Sequence, residues 1–443
     1  MPSISTGAVL GQAPSRSRYK VVVFAVFLSV ITYIDRVSIS QAAPSITEEL
    51  GLSRVEMGWA FSAFSWAYAL FQIPGGWMSD WIGPRRVLTA IVVWWSIFTA
   101  ATGHIWSIAS LVAARFLFGA GQGGGFPVLT KSFTTWLPAS ERVQAQGVMW
   151  LSARWGGAFT PLLVVAMMQL ISWRRAFEIF GLLGLVWALV FWFWYRDNPR
   201  HHSEPNAAEL ALLKGAENTA SGDGRVPWGR FLTSRTVWLL WVQYFCLAYG
   251  WYFYITWLPT YLQEARGQSL ASSAFLAGFP LFFGGLGSLF CGFALKTIER
   301  WMGSVLRARR FIAGLGCFAA GAMLIVSVHL TDPLWAMIAM GLASFANDLA
   351  MPPSWGACMD VGGKYCGSLS GSMNMAGNMA GWVAPPLVAY ILTWTNENWA
   401  LTFYLSAVIY FVGMVCWMFI DPLTPLDEKP QQVLPADVQP KAA

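Results

Sequence analysis

The sequence predicts an all-α integral membrane protein with twelve transmembrane helices in two six-helix halves. Of its 443 residues, 56% are apolar and only 11% are charged, whereas soluble domains carry about 25% charged residues. Apolar windows of about 20 residues, long enough to cross a bilayer as a helix, recur along the chain. One long polar segment, residues 196–235, divides these windows into two equal sets.

The twelve predicted spans alternate with short polar loops. They are residues 20–41, 56–78, 86–104, 106–129, 142–169, 175–195, 236–262, 270–294, 307–328, 333–355, 366–393 and 399–420. This pattern predicts five parts: a tail (1–19), a first bundle (20–195), a linker loop (196–235), a second bundle (236–420) and a second tail (421–443).

The two halves resemble each other weakly. Arg154–Pro161 in span five matches Asn378–Pro385 in span eleven in its glycine and proline spacing. Parallel six-helix halves with a site between them near the midplane of the membrane are a transporter architecture. A channel or receptor fits two such halves poorly.

Basic residues are concentrated on one side of the predicted membrane. With the N-terminus in the cytoplasm, 21 of the 28 Lys and Arg residues lie in cytoplasmic segments and 4 in the opposite loops. The positive-inside rule therefore predicts that both termini are cytoplasmic. The same rule explains the net charge of +6 without a nucleic-acid partner. We expect a monomer in the bilayer of the inner membrane.

Cysteine and histidine give no sign of a metal site, a cofactor or an enzyme. The six cysteines lie in or beside apolar windows, with no CxxC motif or Cys/His cluster. The four histidines fall in loops or at span ends. The sequence therefore predicts no metal, no cofactor and no catalytic nucleophile–base pair.

Ionisable residues inside the spans point to a binding cavity. Asp35 and Arg36 are adjacent in span one, while Arg115 and Arg154 lie near mid-depth in spans four and five. A charge at mid-membrane costs roughly 2.5–3.5 kcal/mol on insertion scales, so these side chains should face the bundle interior. Their net charge is +2, or +1 if Asp348 of span ten is counted. Because guanidinium groups bind carboxylates and phosphates well, we predict an anion site.

Polar side chains at helical spacing extend this predicted cavity. Residues three, four or seven apart share one helix face, and a polar face turns away from lipid. The alternative is that these groups only hydrogen-bond between helices. Besides the arginines, the predicted cavity residues are Tyr68, Gln122, Gln243, Tyr244, Ser370, Asn374 and Asn378.

Glycine-rich stretches predict soft or closely packed helices. The three stretches are Gly119–Pro127, Gly284–Gly287 and Gly377–Pro386. Glycine and proline weaken a helix interior, so these segments favour bending during a conformational change. Close approach of neighbouring helices explains part of the same pattern.

Several motifs carry a family resemblance. Gly76–Arg86 resembles the signature between helices two and three of the major facilitator superfamily. Further motifs resemble the anion:cation symporter family, which includes bacterial sugar-acid transporters, sialin and vesicular glutamate transporters: Tyr33–Arg36, Phe61–Phe64, Tyr68, Gln72–Gly76, Thr256–Leu262 and Ser370–Asn378. The resemblance covers residues 19–420 and implies transport of an organic anion by alternating access.

The resemblance also implies roles for individual residues. Asp35 would be a protonation site, and Arg36, Tyr68 and Arg115 would bind the substrate or take part in gating. Asn374 and Asn378 would line the site from the second half. The residues expected to act in gating are Asp80, Arg85, Arg86, Arg142, Asp348 and Asp360.

Three departures from the family pattern bear on mechanism. Gln122 stands where sugar-acid members commonly carry Glu, and Gln cannot titrate. Both a proton-coupled symporter and a proton-independent or electrogenic carrier therefore stay open. Arg154 is an additional cation, which favours a more acidic or dicarboxylic substrate. Trp81 replaces a usual basic residue and is expected to weaken the cytoplasmic latch. In the symport hypothesis, ionised Asp35 neutralises an arginine, and protonation frees that arginine for the substrate.

Overall fold

The computed structural model describes residues 13–213 and 225–426. The remaining parts of the predicted tails and linker (1–12, 214–224 and 427–443) lie outside the described residues. Within the described ranges the chain forms helices and no strands. The helices are α1 (Tyr19–Leu50), α2 (Arg54–Leu70), α3 (Gln72–Ile82), α4 (Pro84–Thr102), α5 (Ile108–Gly123), α6 (Gly125–Trp136), α7 (Ala139–Leu170), α8 (Trp173–Trp194), α9 (Ala207–Leu212), α10 (Trp228–Thr233), α11 (Arg235–Thr256), α12 (Leu258–Glu264), α13 (Leu270–Leu276), α14 (Gly278–Met302), α15 (Val305–His329), α16 (Pro333–Leu349), α17 (Met351–Gly362), α18 (Cys366–Trp394) and α19 (Trp399–Phe419).

These helices form twelve rods that match the twelve predicted spans. Seven rods are single helices: α1, α4, α7, α8, α15, α18 and α19. The other five are pairs of helices separated by one residue: α2–α3, α5–α6, α11–α12, α13–α14 and α16–α17. By length and composition, seven helical runs among the described residues are long and apolar enough to cross a membrane. The short helices α9 and α10 lie in the predicted linker.

Each of the five breaks precedes a proline by two or three residues. The breaks fall at Phe71, Gly124, Trp257, Ala277 and Ala350, and the prolines are Pro74, Pro127, Pro259, Pro280 and Pro352. Proline has no backbone N–H and its ring clashes with the preceding turn, so it is best accommodated in the first turn of a new helix segment.

The predicted softness holds for one of the three glycine-rich stretches. Gly119–Pro127 contains the break at Gly124, whereas Gly284–Gly287 and Gly377–Pro386 stay helical within α14 and α18. In those two helices the glycines make room for neighbours. A Cβ on Gly377, for example, would lie 2.5 Å from the ring of Tyr244.

The two halves meet most closely along two helix pairs. In each pair, a helix of the first six rods contacts one of the last six: α7 packs against α14, and α3 packs against α18. Where α3 meets α18, Gly76 and Gly367 bring the two backbones together. A Cβ on Gly76 would lie 2.1 Å from the carbonyl oxygen of Gly367, and the reverse substitution would be equally crowded. The halves therefore touch here because neither residue has a side chain.

The linker is anchored to the first half by one buried carboxylate. Glu209 of α9 accepts hydrogen bonds from the hydroxyls of Ser15 and Ser17 and from the backbone and side chain of Arg18. Arg18 also pairs with Glu141 at the start of α7, with Nε–Oε2 at 3.0 Å. Burial raises the pKa of Glu209, but these hydrogen bonds outweigh it and the net shift is downward. The anchor therefore weakens only in acid, when Glu209 becomes protonated.

Replacing Gly76 with alanine should destabilise the packed state. The new methyl group would collide with the backbone of α18, so we expect the melting temperature of the purified protein to fall by about 2 °C or more. Gly58→Ala is the matched control, because a Cβ there meets nothing within 4 Å and alanine favours a helix by up to about 1 kcal/mol. Equal melting temperatures for the two variants would contradict the close approach of α3 and α18.

Candidate functional site

A cavity of about 700 Å³ lies between the two halves. The face of the bundle where α1 and α11 begin is called here the N-terminal face, and the opposite one the far face. The wall includes Gln41, Pro161 and Pro259, which lie past the midpoints of their rods toward the far face. The cavity therefore extends toward the far face. Its volume suits a small molecule.

Only two charged side chains line this cavity among the described residues, and Arg36 is one of them. Its Nε and Nη2 donate to the side-chain oxygen of Gln122 at 3.3 and 3.2 Å. The guanidinium carbon lies 4.5 Å from the ring centre of Tyr68 and 5.3 Å from that of Phe64. The amide of Gln122 in turn donates to the carbonyl of Thr32 at 3.2 Å. Arg36 is thus fixed by neutral groups and keeps its full positive charge.

Asp35 and Arg115 lie behind the cavity wall. Asp35 is 1% exposed, and neither carboxylate oxygen has a hydrogen-bond partner within the described residues. The polar groups that interact with it are the indole N–H of Trp95 of α4 and the guanidinium of Arg115 of α5. Arg115 is also buried, with its guanidinium over the rings of Phe64 and Phe118 at 4.9 and 4.6 Å. Their formal charges are opposite, so together they add no net charge to the core of the first half.

Arg154 is the second charged residue on the wall, and it is paired. Its Nε and Nη2 lie 2.8 and 2.9 Å from the two carboxylate oxygens of Asp348, which belongs to the other half. Asp348 therefore lies beside the cavity, deeper than the position expected near the cytoplasmic end, and its part in gating stays a prediction. Because Asp348 neutralises Arg154, the net charge is +1, the value expected when Asp348 is counted.

On the N-terminal face, Asp80 closes the contact between the halves. It accepts hydrogen bonds from the backbone N–H groups of Gly367 and Ser368, at 2.9 and 2.7 Å, and from the Ser368 hydroxyl. It thus caps the first turn of α18, where a negative charge is favoured. Lys131 of α6 lies 3.2 Å from Asp80 and donates to the carbonyl of Lys364 at 2.6 Å.

A second cross-half contact on this face is an ion-pair chain. Asp360 of α17 receives Nη1 of Arg142 from the first half at 3.1 Å and Nη1 of Arg309 from the second half at 2.7 Å. We call these two contacts together the latch. The latch residues do not line the cavity; they join the two halves between the cavity and the N-terminal face.

A family model agrees with this architecture. The model described as Major Facilitator Superfamily matches residues 25–385. The chain belongs to the Major Facilitator Superfamily. Solved structures with the same fold include the Escherichia coli fucose:proton symporter, with a TM-score of 0.71 at 12% identity over 92% of this chain and all of that chain. Another is the human organic anion transporter MFSD10, with a TM-score of 0.69 at 15% identity over 92% and 100%.

Curated Major Facilitator Superfamily relatives are similar over nearly their whole length. One named "probable sulfoacetate transporter", from Cupriavidus necator, is 37% identical over 90% of this chain and 92% of its own. A "probable galactarate/D-glucarate transporter" of Bacillus subtilis is 30% identical over 94% and 95%. The "D-galactonate transporter" of Escherichia coli is 29% identical over 92% and 96%. The protein is therefore a multi-pass membrane transporter and not an enzyme.

The structure places six of the ten predicted substrate-binding residues on the cavity wall. They are Arg36, Tyr68, Arg154, Tyr244, Asn374 and Asn378. Asn374 of α18 donates to the hydroxyl of Tyr68 at 3.4 Å, which joins the two halves across the cavity. Asn378 accepts from the hydroxyl of Tyr252 at 2.8 Å. The role of these six residues in substrate binding stays a prediction.

Other predicted residues lie away from the positions expected. Gln243 is fully buried within the second half, where its oxygen accepts from Ser354 and Trp417. Ser370 donates to the carbonyl of Cys366 inside α18. Both satisfy local hydrogen bonds instead of facing the cavity. Gln122 and Arg115 stand behind the wall, Gln122 holding Arg36.

The two arginines expected in the gate do not reach the latch. The side chain of Arg85 donates to the carbonyl of Trp192 in α8, and its backbone N–H donates to the carboxylate of Asp197 at the start of the linker. Arg86 is exposed. Arg85 thus binds the end of α8, whereas Lys131 makes the cross-half contact. Sequence analysis missed Lys131 because the window for span four ended at residue 129.

Removing the charge of Asp80 should open the N-terminal face. Asp80→Asn loses the charge-assisted hydrogen bonds to α18, each worth about 1.5–3 kcal/mol. Cys366, which is buried where α18 begins, should then react with a maleimide about tenfold faster, as measured by mass spectrometry.

Asp332→Asn is the matched control for this measurement. Asp332 also caps a helix, accepting from the N–H groups of Leu334 and Trp335 in α16 at 2.9 and 3.1 Å, but it joins no halves. Labelling of Cys366 at the same rate in both variants would show that Asp80 is not part of a latch.

Proposed function

We propose that the protein carries a small organic anion, a sugar acid or related carboxylate, across the inner membrane by alternating access. The observation that carries the proposal is Arg36. It is the one guanidinium on the cavity wall that has no ionised partner among the described residues. The printed names of the relatives, transporters of sulfoacetate, galactarate or D-glucarate and galactonate, support the same class of substrate.

The charge balance of the cavity favours an anion. Arg154 and Asp348 cancel, and Arg115 and Asp35 compensate each other, so the net charge of +1 is that of Arg36. Its hydrogen bonds to Gln122 are long and reach a neutral acceptor. A carboxylate on the substrate would make shorter, charge-assisted bonds to the same guanidinium. Exchange of solvent for substrate at Arg36 is therefore favourable.

Neutral polar groups on the wall suit the hydroxyls of a sugar acid. Tyr68, Tyr252, Asn374 and Asn378 combine donors and acceptors beside aromatic rings. Such a mixture of apolar surface and a few oriented polar groups is typical of small-molecule sites.

The closed latch opposite an accessible cavity supports alternating access. With cytoplasmic termini, as the distribution of Lys and Arg predicts, the latch is on the cytoplasmic side and the cavity faces outward. Transport then requires the latch to release while the far side closes. Two aromatic stacks near the midpoints of their rods also join the halves, Trp66 on Trp382 and Trp155 on Phe282, with ring centres 4.9 and 5.5 Å apart.

Proton coupling through Asp35 would act at a distance from the substrate. Asp35 is not hydrogen-bonded to Arg36, so direct competition for the substrate's arginine is not its route. Protonation of Asp35 would instead leave the charge of Arg115 uncompensated behind the wall. The more positive potential would favour an anion at Arg36, and by linkage the bound anion would favour protonation.

A proton-independent exchanger is the second candidate. The observation that favours it is Gln122, the group that contacts Arg36, since an amide does not titrate. Uptake into liposomes by purified protein distinguishes the two. Accumulation that requires an imposed proton gradient supports symport, whereas uptake that responds only to internal anion supports exchange.

Gln122→Glu should make the binding of an anion at Arg36 depend on pH. An ionised carboxylate at this position would pair with Arg36 and compete with the substrate, so we expect the KM for the transported anion to rise at least tenfold at neutral pH. Protonation in acid removes the competitor, and KM should recover as pH falls.

Gln41→Glu serves as the control for this effect. It adds the same charge to the cavity wall without the hydrogen bonds to Arg36 and should raise KM less. Equal effects of the two substitutions would mean that Arg36 is not the anchor.

Asp35→Asn should abolish uphill, pH-driven uptake while sparing counterflow. An amide cannot carry the coupling proton, yet it leaves the cavity wall and Arg36 in place. Uptake and counterflow are measured in the same liposomes, so counterflow reports on folding and insertion. Loss of counterflow at normal expression would count against the coupling role.

A further inference from the structure

Arg154 uses only one of its two donor edges. Nε and Nη2 face the carboxylate of Asp348. A guanidinium has a second edge, formed by Nη1 and Nη2, that binds a carboxylate in the same bidentate way. Nη1 makes no hydrogen bond to the described residues, and Arg154 lines the cavity. A ligand in the cavity therefore finds a free pair of donors on a residue that is already paired.

The other sides of this guanidinium are fixed. Its carbon lies 3.5 Å from the ring centre of Trp251, which covers one face. Asp348 is held by Asn347 at 2.8 Å and by Ser288 at 3.2 Å, so it cannot follow a departing arginine. Stacking on one face and pairing on one edge leave the second edge in a set orientation.

Arg154 and Arg36 are neighbours through Tyr33. The Arg36 guanidinium lies 5.4 Å from the Tyr33 ring centre, and Tyr33 also interacts electrostatically with Arg154. The ring fits against Gly157, one turn beyond Arg154, where a Cβ would come within 2.9 Å of it. Helices that pack directly are about 8–10 Å apart. A molecule with acid groups a few bonds apart is the size that reaches both arginines.

We propose that Arg154 is a second anion anchor and that the cavity selects molecules with an acid group at each end. The proposal rests on the proposed function, since it adds a second contact to a substrate already held by Arg36. Asp348 is then a positioning residue, which acts through Arg154. Because the Arg154–Asp348 pair is neutral, it adds directed donors to the cavity and no net charge.

The test compares anions that differ in one acid group. Sulfoacetate is compared with isethionate, and D-glucarate with D-gluconate; in each pair a CH₂OH group replaces one carboxylate. Binding to the purified full-length protein is measured by isothermal titration calorimetry. The unsubstituted protein is expected to prefer the doubly acidic member of at least one pair by tenfold or more, as an additional bidentate contact requires.

The decisive variant is Arg154→Gln combined with Asp348→Asn. Removing both charges together leaves no buried charge unpaired and keeps the net charge of the cavity. The preference for the doubly acidic member should fall at least tenfold. The control is Arg174→Gln combined with Glu49→Gln, which neutralises an ion pair outside the cavity and should keep the preference.

The second anchor would be overturned by an unchanged preference in the decisive variant, whether the affinities stay the same or both members of a pair lose affinity equally. The first anchor, Arg36, is tested separately by Arg36→Gln, which should weaken the binding of all four probes. If the unsubstituted protein bound none of the four, the proposed function itself would fail. If it bound all four with no preference for two acid groups, only the second anchor would fail.

Discussion

A guanidinium buried in a helical bundle needs a counter-charge, a hydrogen-bond acceptor or an aromatic face, because lipid and aliphatic side chains provide none of these. The three central arginines meet this requirement in three ways. Arg154 forms an ion pair with a carboxylate of the opposite half, and Arg115 lies near Asp35 and stacks on two aromatic rings. Arg36 donates to an amide oxygen and stacks on aromatic faces. Only the third solution leaves a charge unmatched, and that arginine lines the cavity. The same constraint that holds the halves together thus determines where an anion can be received.

The fold and the positions of the helical rods were largely predictable because the bilayer imposes a length and a polarity on every span. All twelve rods coincide with predicted windows. Breaks within the rods were harder to locate: glycine content indicated the one at Gly124, but the feature shared by all five is a proline just downstream. Glycines elsewhere serve close packing, which sequence alone does not distinguish from flexibility.

The sequence predicted that a cavity with basic residues exists, but it predicted the residues of the wall only in part. Ionisable residues inside apolar windows identified Arg36, Arg154 and Asp348, but which charges pair depends on contacts between residues 194 positions apart. Ser370 and Asn374 share one helix face, yet only Asn374 lies deep enough along α18 to reach the cavity. Depth depends on where the halves touch, and that is set by tertiary packing.

Within the latch, the Asp80 contact differs in kind from the ion-pair chain of Asp360. Asp80 binds mainly peptide N–H groups of α18, which every residue except proline supplies. Substitutions at the receiving end can therefore change its side chains without removing the hydrogen-bond donors, provided that the residue facing Gly76 stays small. The Asp80 contact thus depends on the side chain of one partner and on the backbone of the other. The ion pair of Arg142 with Asp360 has no such freedom, since loss of either side chain ends it.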